Sequence, residues 1–240
     1  MKCNYSCFYC TNLDKSIYPV LDKEVIRDFI KMLGEKYPGV EIFVFGGEPF
    51  VHPEIEYIIK CFNEFKVPFV IQTNLSKYSV DVMKNITEPF TLQASIHPTE
   101  LTPEELTEVL SHDIDIRTID VMYGAENALF YYFRTTTLSK CKNVFLTPIT
   151  DFGDGRSDKL LADYLKMKND PNYRMVRFEE VERLGKSRSE LWADIGFTTK
   201  GKPCLYDGKY FLYGPNLHLY NCCYRKNHTG ICENSKCFLM

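Results

Sequence analysis

The sequence predicts an α/β fold: a partial (β/α)6 TIM-like barrel of parallel strands, followed by a small cysteine-rich C-terminal region. Short apolar segments alternate with amphipathic helical segments from Leu21 onward, which is typical of βαβ units. Polar residues and glycines follow these apolar segments directly, at the positions where loops of parallel sheets carry functional groups. The alternation weakens after Asn169, and five of the ten cysteines lie beyond it.

The order of the elements follows from apolar runs, turn residues and helix-start signals. Apolar runs bounded by turn residues predict strands at residues 40–45, 68–73, 90–96, 114–123 and 144–149. Helical periodicity predicts helices that begin near Asp22, at Pro53, at Ser79, after Thr102, near Ala125 and at Leu160. The helix after Thr102 has the clearest start, because Thr102, Pro103 and Glu105 combine an N-cap, a first-turn proline and a capping-box glutamate. One further strand is predicted at residues 174–181.

Length, charge and cysteine use limit the possible classes of protein. A chain of 240 residues predicts one large domain at residues 1–169 and a small region at 170–240. The net charge of −3 gives no general signal for nucleic acid or for an acidic membrane. The sequence shows no secretory signal and no apolar run that could span a membrane, so a cytoplasmic location is predicted. In a reducing cytoplasm, ten cysteines indicate metal binding or catalysis rather than disulfides.

Three cysteines open the chain with C-x3-C-x2-C spacing: Cys3, Cys7 and Cys10. Three thiolates on one short loop can hold three corners of a [4Fe-4S] cluster. A missing fourth protein ligand leaves one iron open to a substrate or cofactor. Taken alone, the spacing also fits half of a zinc site.

A second motif, Gly46-Gly47-Glu48-Pro49, follows the first predicted strand. The glycines let the backbone approach a ligand closely, and Glu48 offers a carboxylate. The motif alone is a common turn. Its order after the cysteines, with one helix between the two motifs, favours a shared functional site.

These two motifs and the element order resemble the radical S-adenosylmethionine (radical SAM) superfamily over roughly residues 1–165. The resemblance implies that Cys3, Cys7 and Cys10 hold a [4Fe-4S] cluster whose fourth iron is chelated by S-adenosylmethionine (SAM). It implies an oxidoreductase that cleaves SAM reductively to a 5′-deoxyadenosyl radical, which abstracts hydrogen from a substrate. The cofactor-binding residues that it implies are Tyr9, Gly46, Gly47, Glu48, Pro49, Asn74, Ser95 and Ile149. Among them, Glu48 would accept a hydrogen bond from the SAM ammonium, and Tyr9 would pack near the adenine.

His97 ends the third predicted strand on the same side of the sheet. It is a candidate catalytic residue beside the three cysteines. A structural, hydrogen-bonding histidine is an equally good interpretation.

The C-terminal region resembles the SPASM or twitch extensions of radical SAM enzymes. Cys204 precedes a predicted hairpin, with strands at residues 210–213 and 217–221, and Cys222 follows it. The resemblance implies an auxiliary [4Fe-4S] cluster held by Cys204, Cys222, Cys232 and Cys237, with Cys223 as the spare thiol. A structural zinc held by four thiolates is the alternative, because thiolate spacing alone does not choose between zinc and iron.

Members of the family normally have a strand before the cysteine loop, whereas only Met1 and Lys2 precede Cys3. The first barrel strand is therefore expected to be short or missing. The strand at residues 40–45 would then be an edge, and an uncovered edge favours a dimer or a partner protein.

The predicted partners are an electron donor of the flavodoxin or ferredoxin kind and a substrate that is a peptide or another small molecule. Two other enzyme classes stay open, a glycyl-radical-enzyme activase and a nucleotide or nucleic-acid modifier. Nucleic acid is not expected, because the basic residues near 166–188 fit a solvated face. Outside the enzymes, the alternative is a zinc-binding module.

Overall fold

Five parallel strands form one sheet, in the same order in which they follow along the chain. They are β1 (Ile42–Val44), β2 (Phe69–Thr73), β3 (Thr91–Ile96), β4 (Ile116–Tyr123) and β5 (Val144–Pro148). The α/β fold and the five predicted strands are therefore confirmed. At one end of this order lies β1, so within the described sheet it is the edge strand that the sequence predicts.

The computed structural model describes residues 3–10, 21–149, 167, 170–174, 212–213 and 219–220. The chain divides into two compact units. The first comprises Met1–Gly153 with Pro171–Met175, and the second comprises Asp154–Asp170 with Val176–Met240. The domain boundary at residues 169 and 170 stays a prediction.

Helices connect the strands of the first unit. They are α1 (Lys23–Lys36), α2 (Ile55–Glu64), α3 (Lys77–Met83), α4 (Pro103–Ser111) and α5 (Ala128–Leu138), with a 3₁₀ turn at Pro49–Val51. Asp22 caps α1 as predicted, since its side chain accepts a hydrogen bond from the Glu24 amide. None of the described helices is long and apolar enough to cross a membrane.

Three helix starts differ from the prediction, and one of them is α5, which begins at Ala128 rather than near Ala125. Pro53 lies in a turn, and α2 begins two residues later, because the Ile58 amide bonds back to the Glu54 carbonyl. Conversely, α3 begins before Ser79, because the Ser76 side chain accepts a hydrogen bond from the Ser79 amide and so caps the helix.

The two faces of the sheet have different compositions because successive strand residues point to opposite sides. One face packs against the helices in a single core, which includes Leu92, Ala94, Ile96, Ile119 and Val121. The opposite face, called the inner face below, carries Gln93 and Ser95 of β3, Thr118 and Asp120 of β4, and Thr147 of β5. These five side chains are polar and half-buried.

A β-bulge lies near the amino-terminal end of β4. The β3–β4 register shifts between Leu92 and Gln93, and Arg117 is the extra residue on β4. Its guanidinium donates to both carboxylate oxygens of Glu41, just before β1, at 2.7 and 3.0 Å. Since β1 and β4 are not neighbours in the sheet, this bidentate pair spans the strands between them.

The capping box at α4 is confirmed and provides a stability test. The Thr102 side chain accepts from the Glu105 amide at 3.2 Å, and the Glu105 carboxylate accepts from the Thr102 amide at 2.8 Å. We expect Thr102→Ala to lower the free energy of unfolding by about 1 kcal/mol, because one amide loses its partner. Urea denaturation measures it, with the exposed helical variant Thr136→Ala as a control; equal stabilities would contradict the capping role.

The second unit contains a short antiparallel hairpin, β6 (Leu212–Tyr213) and β7 (Leu219–Tyr220). It lies within the hairpin that the sequence predicts between Cys204 and Cys222. The predicted helix at Leu160 and the predicted strand at residues 174–181 fall almost entirely outside the described residues.

Candidate functional site

The loops after the first three strands meet at the carboxyl end of the sheet, and the cysteine loop lies against two of them. Parallel sheets place functional residues at this end, because the carboxyl ends of all strands lie at the same edge. The cysteine loop turns on itself where the Cys10 amide donates to the Cys7 carbonyl at 3.1 Å.

The Asn74 side chain fastens the cysteine loop to the loop after β2. Its Nδ2 atom donates to Asn4 Oδ1 at 2.8 Å and lies 3.8 Å from Cys3 Sγ. Asn4 Nδ2 in turn donates to Ser76 Oγ at 2.7 Å. The predicted cofactor residue Asn74 is therefore in contact with the cysteine loop.

His97 connects the cysteine loop to β3. Its Nδ1 atom lies 2.9 Å from the Tyr9 hydroxyl oxygen and 3.5 Å from Cys7 Sγ. Its Nε2 atom lies 3.0 Å from Ser95 Oγ. The Tyr9 ring stacks on the imidazole with the two planes 10° apart. The His97 side chain thus contacts three of the predicted site residues, Cys7, Tyr9 and Ser95.

Burial determines the charge of His97. It lowers the pKa of the imidazole to about 4, so the ring is neutral at neutral pH. A neutral ring has one N–H donor and one acceptor nitrogen. With the proton on Nδ1, the ring donates toward Cys7 and Tyr9, and Nε2 accepts from the Ser95 hydroxyl.

Glu48 lies beneath the glycine motif and is only 3% exposed. Its Oε1 atom accepts from the Thr73 hydroxyl at 2.9 Å and from the Phe50 amide at 3.2 Å. Its Oε2 atom accepts from the Asn74 amide at 2.7 Å. Burial raises the pKa of the carboxyl, and these hydrogen bonds oppose the rise. Glu48 therefore fastens the loop after β1 to the end of β2.

Gly46 and Gly47 carry the backbone through a left-handed turn, with φ of 100° and 62°. A side chain would be strained at these angles, which explains both glycines. Pro49 follows and opens the buried 3₁₀ turn.

The three cysteines fit a cluster by their chemistry. All are partly exposed thiols on one loop, and the Cys3 sulfur also accepts from the Tyr5 amide at 3.5 Å. Burial, with Glu100 nearby, raises the pKa of the Cys7 thiol to about 11. A bound cation would reverse that rise, as metals do for coordinating thiols. No three His, Cys, Asp or Glu side chains in the described ranges converge on one ion, and cluster thiolates need not, since each binds its own iron.

The structure does not bring every predicted residue to this group. Ile149 lies after β5, is 3% exposed, and donates its amide to the Tyr123 carbonyl at 2.8 Å. This position is two strands away from β3. The predicted auxiliary ligands Cys204, Cys222, Cys232 and Cys237, and the spare Cys223, lie outside the described residues.

Three residues that hold the cysteine loop were missed by sequence reasoning. Asn4 and Ser76 form the hydrogen-bonded link described above, and Glu100 accepts from the Ser6 amide at 3.1 Å. Ser76 could have been found as an N-cap three residues before a second serine. No sequence signal identifies the other two, because each bonds to a residue more than seventy positions away.

Comparison with known proteins gives a family match over the segment that carries this site. Residues 1–111 match the model of the radical SAM superfamily. The match contains both the cysteine motif and the glycine motif, as well as His97. It supports a radical SAM domain over this segment. No curated protein matches the sequence of the chain.

Solved radical SAM structures have a similar fold. SuiB from Streptococcus suis, bound to S-adenosylmethionine, matches with a TM-score of 0.61 at 13% identity, over 93% of this chain and 58% of its own. The anSMEcpe structure with bound AdoMet matches with a TM-score of 0.58 at 16% identity, over 97% of this chain and 74% of its own. At these identities the likeness shows the fold alone. The chain spans little more than half the length of SuiB.

Proposed function

We propose that the chain is a radical SAM enzyme of the oxidoreductase type. The observation that carries the proposal is the cysteine loop, held at the carboxyl end of a parallel sheet by Asn74 and His97. The match of residues 1–111 to the superfamily supports it. When bound, a [4Fe-4S] cluster on Cys3, Cys7 and Cys10 would supply the electron for reductive cleavage of SAM to the 5′-deoxyadenosyl radical.

The protein's part is to hold these groups in place. Gly46 and Gly47 bring backbone groups to the site, while Glu48 fixes their loop from below. The buried carboxyl of Glu48 is the acceptor we assign to the SAM ammonium. We assign Ser95 and Asn74, which lie at strand ends, to contact the ribose or the carboxylate of SAM, and we assign Ile149 to contact its adenine.

A peptide or peptide-derived substrate is the proposed target. SuiB and anSMEcpe have each been crystallised with a peptide, in the first case the precursor peptide SuiA. Both matches exceed a TM-score of 0.5, so the peptide-binding proteins share this fold. An electron donor of the flavodoxin or ferredoxin kind and an auxiliary cluster on the C-terminal cysteines complete the proposal.

The proposal is tested by anoxic reconstitution with iron and sulfide, reduction with dithionite, and addition of SAM. We expect 5′-deoxyadenosine and methionine in equal amounts. A protein that binds only zinc and forms no deoxyadenosine would contradict the proposal and favour a zinc-binding module.

We propose that His97 positions Cys7 and tunes the cluster through the hydrogen bond at Sγ. Hydrogen bonds to cluster sulfurs are among the factors that set the reduction potential. We expect His97→Phe to make the midpoint potential more negative, because the donor near the sulfur is lost. His97→Asn, whose amide can stand near the position of Nδ1, should restore part of the shift.

Redox titration followed by electron paramagnetic resonance (EPR) measures the potentials of these variants. His112→Phe is the matched control, because His112 lies at the opposite end of α4 from the cysteine loop. Equal potentials in His97→Phe and the parent would leave His97 with a purely structural role.

A further inference from the structure

Asp120 is a half-buried residue on the inner face, and none of the roles above uses its carboxyl group. It lies in the middle of β4 and is in register with Ser95 of β3. Neighbouring strands are about 4.8 Å apart, so Asp120 stands one strand away from the residue that holds His97. The strand ends at Tyr123, about 10 Å further along at the usual rise per residue.

Two neutral side chains hold this carboxylate from the flanking strands. Gln93 Nε2 donates to Oδ2 at 2.9 Å, and Thr147 Oγ1 donates to Oδ1 at 2.8 Å. An ionised carboxylate can accept about four hydrogen bonds. About half of the capacity of Asp120 is therefore left for another donor.

The charge of Asp120 is not balanced by a neighbouring cation within the described part of the chain. The ion pairs found there do not include Asp120. The nearest arginine on the same strand, Arg117, is engaged with both oxygens of Glu41. Burial raises the pKa of Asp120, and only the Gln93 and Thr147 hydrogen bonds oppose the rise. A half-buried carboxylate of this kind is stabilised by a cationic partner.

The geometry points to Asp120 as the anchor for a cationic group of the substrate, either an alkylammonium or a guanidinium. This inference rests on the proposed function, because the cationic group belongs to the substrate only if the radical forms at the carboxyl end of this sheet. Gln93 and Thr147 fix the carboxylate in one orientation from two strands. Arg117, which pairs with Glu41, lies three residues before Asp120, nearer the start of β4. The Glu41–Arg117 pair therefore lies on the side of Asp120 away from the carboxyl end of the sheet.

The test measures binding of small cations to the reconstituted protein with SAM. The probes are n-butylammonium and n-butylguanidinium, with the neutral n-butylurea for comparison, and ligand-observed NMR gives the dissociation constants. We expect at least one cation to bind about tenfold or more tightly than butylurea, as a charge-assisted hydrogen bond requires. Comparison of the two cations decides between an ammonium and a guanidinium.

Asp120→Asn should abolish this preference for cations. Asp113→Asn is the matched control, because it removes the same charge at a side chain that is 85% exposed and paired with Lys140. Thr118→Val is the second variant, because Thr118 lies on the same face two residues before Asp120 but gives neither of the hydrogen bonds to its carboxylate, and it should keep the preference. Asp120→Asn should still bind SAM and form deoxyadenosine in the absence of substrate.

Three results would overturn the inference: a parent protein without preference for cations, an Asp120→Asn variant that keeps it, or a Thr118→Val variant that loses it. Weaker SAM binding in Asp120→Asn would also overturn it, since the carboxylate would then serve the cofactor. If the preference depends on Asp120 but the parent forms no deoxyadenosine, the cation site stands and the proposed function fails.

Discussion

Replacing Cys3, Cys7 and Cys10 together with alanine is expected to remove one [4Fe-4S] cluster and all formation of 5′-deoxyadenosine. The three thiols lie on one loop, and no other cysteine among the described residues lies beside it. With an auxiliary cluster in the tail, we expect about eight irons in the parent and about four in the triple variant. Iron and sulfide assays after anoxic reconstitution give these counts.

Cys141→Ala is the control for this experiment, because Cys141 is a partly exposed thiol elsewhere in the same unit. It should keep the iron and the activity of the parent. About four irons in the parent, none in the triple variant and zinc in both would identify a structural zinc in the tail. That result would favour the glycyl-radical-enzyme activase. Deoxyadenosine formation by the triple variant would contradict the assignment of the loop.

Glu48→Ala is expected to lower the free energy of unfolding by about 3 kcal/mol and to weaken SAM binding. Three buried donors, on Phe50, Thr73 and Asn74, would lose their acceptor. The variant also no longer pays the desolvation penalty of the buried Glu48 carboxyl, which offsets part of this cost. The cost of leaving three donors without an acceptor should exceed this gain, because each buried donor without a partner costs about 1–3 kcal/mol.

Glu48→Gln separates shape from charge. Its amide group can keep the contact with Thr73, but an N–H would then face the Asn74 amide at the position where Oε2 now accepts. We expect a smaller loss of stability than in Glu48→Ala and a comparable loss of SAM affinity. Glu56→Ala, at an exposed position in the first turn of α2, is the control. Urea denaturation and equilibrium dialysis of SAM measure the two effects, and a fully stable Glu48→Ala would contradict the fastening role.

The five strands and the caps of α1 and α4 could be predicted because their signals are local. The run from Val40 to Phe45 ends at two glycines, and the Thr102 capping box is contained in four residues. Element ends were less well predicted, because tertiary contacts adjust them. Proline is favourable in a first helical turn, yet Pro53 lies in a separate turn, closed by the Ile55 amide on the His52 carbonyl, before α2 begins.

The motif residues of the candidate site could be selected from the sequence, but Asn4, Ser76 and Glu100, and the contacts among all of these residues, could not. The motif marks Glu48 as a ligand contact, whereas its partners Thr73 and Asn74 come from the next strand and become known only from the fold. The same holds for the contact between His97 and Cys7, which are ninety positions apart. Asp120 had no distinguishing local signal, because the predicted strand at residues 114–123 also contains the charged residues Asp115 and Arg117.

The central claim is that the cysteine loop presents one iron to SAM, and EPR of the reduced protein tests it most directly. The reconstituted protein should show a reduced [4Fe-4S] signal that changes when SAM is added, because SAM would bind the iron that lacks a cysteine. The Cys3/Cys7/Cys10→Ala variant should lack the SAM-sensitive part of the signal and keep any signal from the tail. A parent signal that SAM leaves unchanged would contradict the claim.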